Sequence, residues 1–138
     1  MIKTLSVRIK DKHSKLLTQM AFEANQVWNE VNAFTDEMSH IPIPEVGYIS
    51  CHFSAFDLQK RFKPLRKERG LTNTHSTTVQ EVIATHAKAR KQFKKNKLRW
   101  RVSSGSKRSL GWVPFKSGSA NWKNGQVFFN GHLFQCLG

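Results

Sequence analysis

Six apolar residues, Leu17, Met20, Ala24, Val27, Val31 and Phe34, repeat at 3-4-3-4-3 spacing. A strand would scatter such a set over both faces. An α-helix gathers it on one, so the spacing predicts a helix from Lys12 to about Phe34 whose seam packs in a small bundle. A chain of 138 residues is one domain by length, and 38% hydrophobic with 11% aromatic residues supplies it with a modest core. Off the seam lie Asn25, Asn29 and Asn32, an amide stripe accompanied by Trp28. Amides can donate to and accept from base edges or sugar hydroxyls, or they can tie the helix to neighbouring backbone, and the sequence leaves both readings open.

The run from Thr77 to Arg101 begins as a second amphipathic helix and ends as a basic, aromatic tail. Val79, Val82, Ile83, His86, Arg90 and Phe93 recur at helical spacing, with Thr77 placed to cap the start and Gln80 three residues on, as a capping box requires. Lys88, Lys91 and Lys95 fall near Gln80 on another face, so one side can pack while the other meets phosphate. With about 17 helical residues that face is roughly 25 Å long, the length of about seven base pairs at one charge per ~1.7 Å of duplex.

Around these two helices the remaining signals are shorter. Ile2 to Lys10 alternates apolar and polar, which predicts a half-buried strand ending at Asp11. His40 to Gly47 holds two prolines and a glycine and is expected to be a loop. Ser54 to Asp57 reads as a helix entry, with Leu58, Phe62 and Leu65 on one face, a break at Pro64 and a C-cap at Gly70. Lys60, Arg61, Lys63, Arg66, Lys67 and Arg69 surround that stripe, either as a solvated face or as phosphate contacts. Past Arg101, residues 103–109 are small, polar and basic, and Lys107 and Arg108 sit in a loop suited to approach a phosphate. Strand-like pieces follow at Leu110–Phe115, Gln126–Asn130 and His132–Leu137, broken by Asn124-Gly125 and Asn130-Gly131, the strongest short hairpin signals. The expected fold is α+β. Residues 1–10 and 102–138 supply the strands of a small antiparallel barrel or sheet, and residues 11–101 form an inserted set of three helices.

The formal net charge is +14, from 23 Lys and Arg against nine Asp and Glu, and it is unevenly placed. Glu81 is the last acidic residue; after it come 12 basic residues, leaving 11 basic against nine acidic ones before. Such asymmetry argues for a nucleic-acid partner met first through its phosphates, and the interleaved Trp100, Trp112 and Trp122 suit stacking on unpaired bases. Cys51 and Cys136 have no CxxC or zinc-type spacing and are expected to be buried thiols of a cytosolic protein. The opening residues do not resemble a signal peptide, and no stretch approaches the length of a membrane span, so no membrane partner is expected. The nine carboxylates are scattered over expected helices and loops, whereas two-metal phosphoryl chemistry needs several that converge. The six histidines form no HxxxH pair, and His86 on its apolar helix face reads as a satisfied core histidine. Neither a catalytic set nor a metal site is expected; the residues alone describe a binding module.

Taken together, Met1 to Ile9, the Ala24-Asn25-Gln26-Val27-Trp28-Asn29 helix, Ser54-Ala55-Phe56-Asp57-Leu58, the Thr78-Val79-Gln80-Glu81-Val82 helix running into Ala89-Arg90-Lys91-Gln92-Phe93, and Ser109-Leu110-Gly111-Trp112-Val113-Pro114-Phe115 before a Gly-punctuated hairpin resemble the N-terminal part of TnpB proteins. These are transposon-encoded, RNA-guided DNA endonucleases, formerly regarded as transposases. The order and spacing of five weak motifs carry the resemblance. It implies a wedge-type β-barrel built from the split strands, a helical recognition lobe, and guide RNA and target-adjacent duplex DNA as partners in a prokaryotic, nucleoid-associated setting. Carried over by position, Gln80 becomes the candidate base contact, with Thr77 and Lys88 beside it, unless Gln80 only completes the capping box. Lys91, Lys94, Lys95, Arg99 and Arg101 would serve phosphates, and Trp100 or Trp112 would stack or fill the barrel. Family members continue into an RNase H-like nuclease domain with three acidic residues and a zinc-binding insertion, so Mg and Zn belong to that region. Residues 1–138 therefore read as a fragment or a stand-alone binder that does not cleave. The other readings are a free-standing DNA-binding regulator and a generic basic RNA-binding domain.

Overall fold

A computed structural model of the chain describes residues 6–95, 97–102, 112–116 and 118–137. Its longest element is helix α1 (Ser14–Met38), entered through a 3-10 turn at Asp11–His13 and running about one turn past the predicted end. The apolar seam of α1 serves two cores. Near its start Met20, with half-buried Leu16 and Leu17 beside it, packs on Phe129 and Phe134. From Ala24 onward Val27, Trp28, Val31 and Phe34 pack with Leu58, Leu65, Leu71, Val79, Val82 and Ile83. One continuous helix therefore joins a sheet to a helical cluster.

That cluster is completed by α2 (Ala55–Arg61), α3 (Leu65–Glu68) and α4 (Ser76–Phe93). Ser54 opens α2 with a capping box. Its Oγ accepts from Asp57 N–H at 3.2 Å, and its own N–H donates to Asp57 Oδ2 at 3.3 Å. Pro64 splits α2 from α3 as its missing N–H requires. Gly70, at φ 63°, closes α3 in a Schellman motif: Leu71 N–H reaches Arg66 O at 2.8 Å and Gly70 N–H reaches Lys67 O at 3.4 Å. Helices this short do not hold by themselves, and it is the burial of Leu58, Leu65 and Leu71 that fixes them.

The expected loop at 40–47 is instead part of a hairpin, β1 (Ile41–Ile43) paired antiparallel with β2 (Gly47–Ile49). Pro42 is tolerated because, among the described residues, no further strand joins this two-stranded hairpin and calls for the N–H that proline lacks. Positive φ at Glu45 and Gly47 turns the chain.

The second core lies under a three-stranded antiparallel meander of β3 (Ala120–Lys123), β4 (Gln126–Phe129) and β5 (His132–Gln135). Both connections are two-residue turns with positive φ throughout: 54° and 73° at Asn124-Gly125, 52° and 77° at Asn130-Gly131. That is the type I′ geometry Asn-Gly favours. β3 carries too little apolar alternation to announce itself. The expected strand at Leu110–Phe115 is irregular over 112–115, and its first two residues lie outside the described ones. At the other edge, Ile9 bridges Cys136, Lys10 N–H donates to Gln135 O at 2.9 Å and Leu137 N–H to Arg8 O at 2.8 Å. Of the strand expected over residues 2–10, the described residues 6–10 thus show a single antiparallel bridge beside the C-terminal strand, and residues 2–5 lie outside the described ones.

The fold is mixed α+β, but the described strands do not close into a barrel. Three strands of four residues are too few to curl the sheet back on itself, and nothing among the described residues pairs with the outer edge of β3. Cys51 and Cys136 are free thiols, each half-buried where full burial was expected. No helix among the described residues is long and apolar enough to cross a membrane.

Candidate nucleic-acid interface

Helix α4 starts two residues earlier than a cap at Thr77 implies, because His75 caps it. The His75 Nδ1 accepts from Thr77 N–H at 3.1 Å and pairs with Thr77 Oγ1 at 2.8 Å. The imidazole acceptor satisfies one of the orphan donors of the first turn, the N–H of Thr77 itself, and so places Thr77 inside the helix. Gln80 is then the fifth helical residue, too far along for a capping box, and that reading is overturned. Gln80 is half-buried, and its carbonyl accepts from Gln59 Nε2 at 3.3 Å. At the far end the helix stops at Lys94, whose φ of 53° is left-handed. Phe93, expected on the buried face, is 61% exposed there.

The basic tail after α4 is held by side chains of α1. Asn32 pairs with both backbone groups of Leu98, accepting from its N–H and donating to its carbonyl, each at 2.7 Å. Asn29 does the same for Arg101 at 2.8 and 2.9 Å. Between them Trp28 Nε1–H donates to Arg99 O at 3.0 Å. A carboxamide carries the same donor and acceptor as a peptide unit, so the two asparagines act as a discontinuous strand. The amide stripe is thereby resolved for Asn29 and Asn32: they bind backbone. Three backbone positions of 98–101 are thus occupied, while the side chains of Arg99 and Trp100 stay exposed.

Behind this strap sits a polar chain inside the core. Arg90 Nε–H donates to His86 Nδ1 at 3.0 Å, and His86 Nε2 lies 3.1 Å from Asn32 Oδ1. Arginine is always a donor, so Nδ1 must accept, and Nε2 carries the proton that Asn32 receives. His86 is fully buried, packed edge-on to Trp28 at a centroid distance of 4.7 Å. Desolvation first, then the charges of Arg90 and Arg101, hold its pKa down from 6.5 to about 4, so it is neutral at pH 7. Arg101 lies over Trp28 at 4.4 Å and Trp112 at 5.2 Å, and burial pulls its pKa and that of Arg90 downward, although arginine keeps its charge.

The expected site residues therefore separate into groups. Thr77 and Gln80 belong to the first turns of α4, roughly 16 to 21 Å along the helix from Lys91. Lys88 is exposed between them and Lys91. Lys91, Lys94 and Lys95 line a hollow of about 530 Å³ against His52, Phe53 and Ser54. Lys95 also lines a second groove, of about 520 Å³, with Phe93, Lys97, Arg99, Trp100 and Arg101. Trp112 is half-buried, edge-on to Trp28, and fills the core; Trp100 is 43% exposed, with Lys97 Nζ 6.0 Å from its ring centroid. Lys107 and Arg108 lie outside the described residues. The strap and the Arg90–His86–Asn32 chain were not assigned from sequence. Their one legible signal is the pair of amides, Asn29 and Asn32, that follows directly on Trp28. Among the described residues no group of three His, Cys, Asp or Glu side chains gathers as a metal ion would need. No family model, curated protein or solved structure matches the chain.

Proposed function

We propose that this chain is a nucleic-acid-binding module, the recognition and wedge part of a TnpB-like RNA-guided DNA endonuclease, which binds guide RNA and target-adjacent duplex and contributes no cleavage itself. One observation carries the binding reading. Eight basic residues lie between Lys88 and Arg101 with no carboxylate in the run, and among the described residues none of the eight is in an ion pair. Cations at the C-terminal end of a helix gain from its dipole, but a cluster this dense repels itself. A polyanion relieves that repulsion. The order of the five motifs and the antiparallel meeting of residues 8–10 with 135–137 support the TnpB-like reading. On it, the three-stranded sheet is one side of a wedge barrel, and the module works in the prokaryotic cytoplasm at the nucleoid.

A salt titration of binding to a pool of host-cell RNA, with duplex DNA as competitor and recovered molecules sequenced, tests this. Enrichment of one structured RNA is expected, with a log–log slope of about −4 or steeper, and Lys91, Lys94 and Lys95 changed together to Gln should make it shallower by about 2. Equal recovery of every RNA would reduce the reading to generic phosphate binding, and a slope near zero would remove it. Gln80, freed from a capping role, is the proposed base reader in the flanking duplex. Gln80→Ala should relax preference at one base pair by about 1–3 kcal/mol while leaving helix content unchanged. Unaltered preference would take Gln80 out of the interface.

A further inference from the structure

We propose that the groove between the last turn of α4 and the 97–101 strap takes an unpaired nucleotide of a structured RNA, its base stacked on Trp100 and its flanking phosphates met by Lys95, Lys97 and Arg99. This rests on the nucleic-acid reading above and specifies what one part of that surface receives. The groove, about 520 Å³, is of the size that encloses a small ligand and has a mixed wall. Phe93 and Trp100 offer 61% and 43% of their surface to solvent, and every charged side chain lining the groove with them is a cation. An aromatic face beside cations matches a nucleotide, which presents a π-face and a phosphate together.

Duplex fits this groove poorly, because paired bases already stack on one another and offer no free face. Trp100 therefore selects for a base outside a helix. Such bases are displayed chiefly in loops, bulges and ends of folded RNA, which commits the proposal to RNA rather than DNA. The strap makes the platform rigid before any ligand arrives. Its backbone is pinned on either side of Trp100 by Asn32 and Asn29, and at Arg99 by Trp28, so ordering the tryptophan on binding costs little. Arg101 is committed to the Trp28 and Trp112 rings, which leaves Arg99 as the strap's arginine for phosphate. Lys97, 6.0 Å from the Trp100 centroid, sits at the limit of cation–π reach and leaves room for a base on the ring.

The experiment measures the affinity of the full chain for three probes: an RNA hairpin with a loop of about seven nucleotides, the same stem closed as a fully paired RNA, and the loop sequence as single-stranded DNA. Trp100→Ala is expected to weaken hairpin binding about 5- to 100-fold, with Phe93→Ala weakening it less. Trp100→Phe, which keeps a ring, should retain most of the affinity. Binding to the paired RNA and the salt slope should not change. Equal binding of hairpin and paired RNA, or a Trp100→Ala effect shared by both, overturns the inference while leaving phosphate binding intact. Equal binding of the single-stranded DNA, with the same loss on Trp100→Ala, overturns the assignment to RNA. Failure of the unaltered chain to bind any probe removes both this inference and the reading it rests on.

Discussion

Asn32→Ala is expected to lower the free energy of unfolding by about 3–5 kcal/mol, because one side chain satisfies three partners and its loss orphans them all. The partners are Leu98 N–H, Leu98 C=O and the Nε2–H of His86. Each buried polar group left without a partner costs about 1–3 kcal/mol, and the sum is held to the lower range because half-buried Leu98 can recover some hydration. Asn29→Ala makes the contrast. Its two bonds to Arg101 are of similar length, but Asn29 is half-buried, and water can replace it at a cost of about 1–2 kcal/mol. Urea unfolding followed by circular dichroism measures both. Limited trypsin digestion supplies an independent readout, since release of the strap exposes Lys97, Arg99 and Arg101 to cleavage. An Asn32→Ala loss under about 1 kcal/mol, with unchanged trypsin resistance, would show that the strap is not anchored through this residue.

The second large effect is a loss of stability in acid. His86 has a folded pKa of about 4 against 6.5 when exposed, so between those values the unfolded chain takes up a proton that the native chain refuses. The state that binds more protons gains as pH falls, and here that is the unfolded one. Stability contributed through His86 is complete above pH 6.5, declines through the interval, and levels off below about pH 4. At about 1.36 kcal/mol per pH decade the decline amounts to about 3 kcal/mol. Protonation also reverses Nδ1 from acceptor to donor, setting it against Arg90 Nε–H at 3.0 Å, with Arg101 adding its charge through the stacked Trp28. Proton NMR of the imidazole during a pH titration is the direct measurement, and a midpoint near 6.5 in the folded protein would falsify the buried neutral assignment. Because Asn32 accepts from both His86 and Leu98, the acid effect should reach the strap: trypsin cleavage at 97–101 should accelerate between about pH 6 and 4.5 relative to a stable control substrate.

Elements whose cause is local could be read from the chain. The α1 seam, the Ser54–Asp57 capping box, the break at Pro64, the Gly70 closure and both Asn-Gly turns each depend on residues within a few positions of one another, and each stands where those residues put it. The cap of α4 shows where local reasoning fails even at short range. Thr77 and His75 are both able acceptors, and the choice between them follows from burying Thr78 and Val79 against the rest of the core. Phe93 fails for a similar reason: periodicity assigns it a face, but whether that face is covered depends on elements that periodicity does not contain.

The helices, the turns and the accumulation of positive charge after Glu81 follow from the residues alone, because periodicity, backbone restrictions and formal charge are properties of neighbours along the chain. Which side chains belong to one another was settled by packing at a distance. Asn32 meets Leu98 across 66 positions, Asn29 meets Arg101 across 72, and His86 meets Asn32 across 54. Each carboxamide had two chemically equal uses, toward a ligand or toward backbone, and nothing local separates them. What separates them is that buried backbone groups must be paired, and the packing of α1 on α4 brings the 98–101 segment within reach of the amides that pair it.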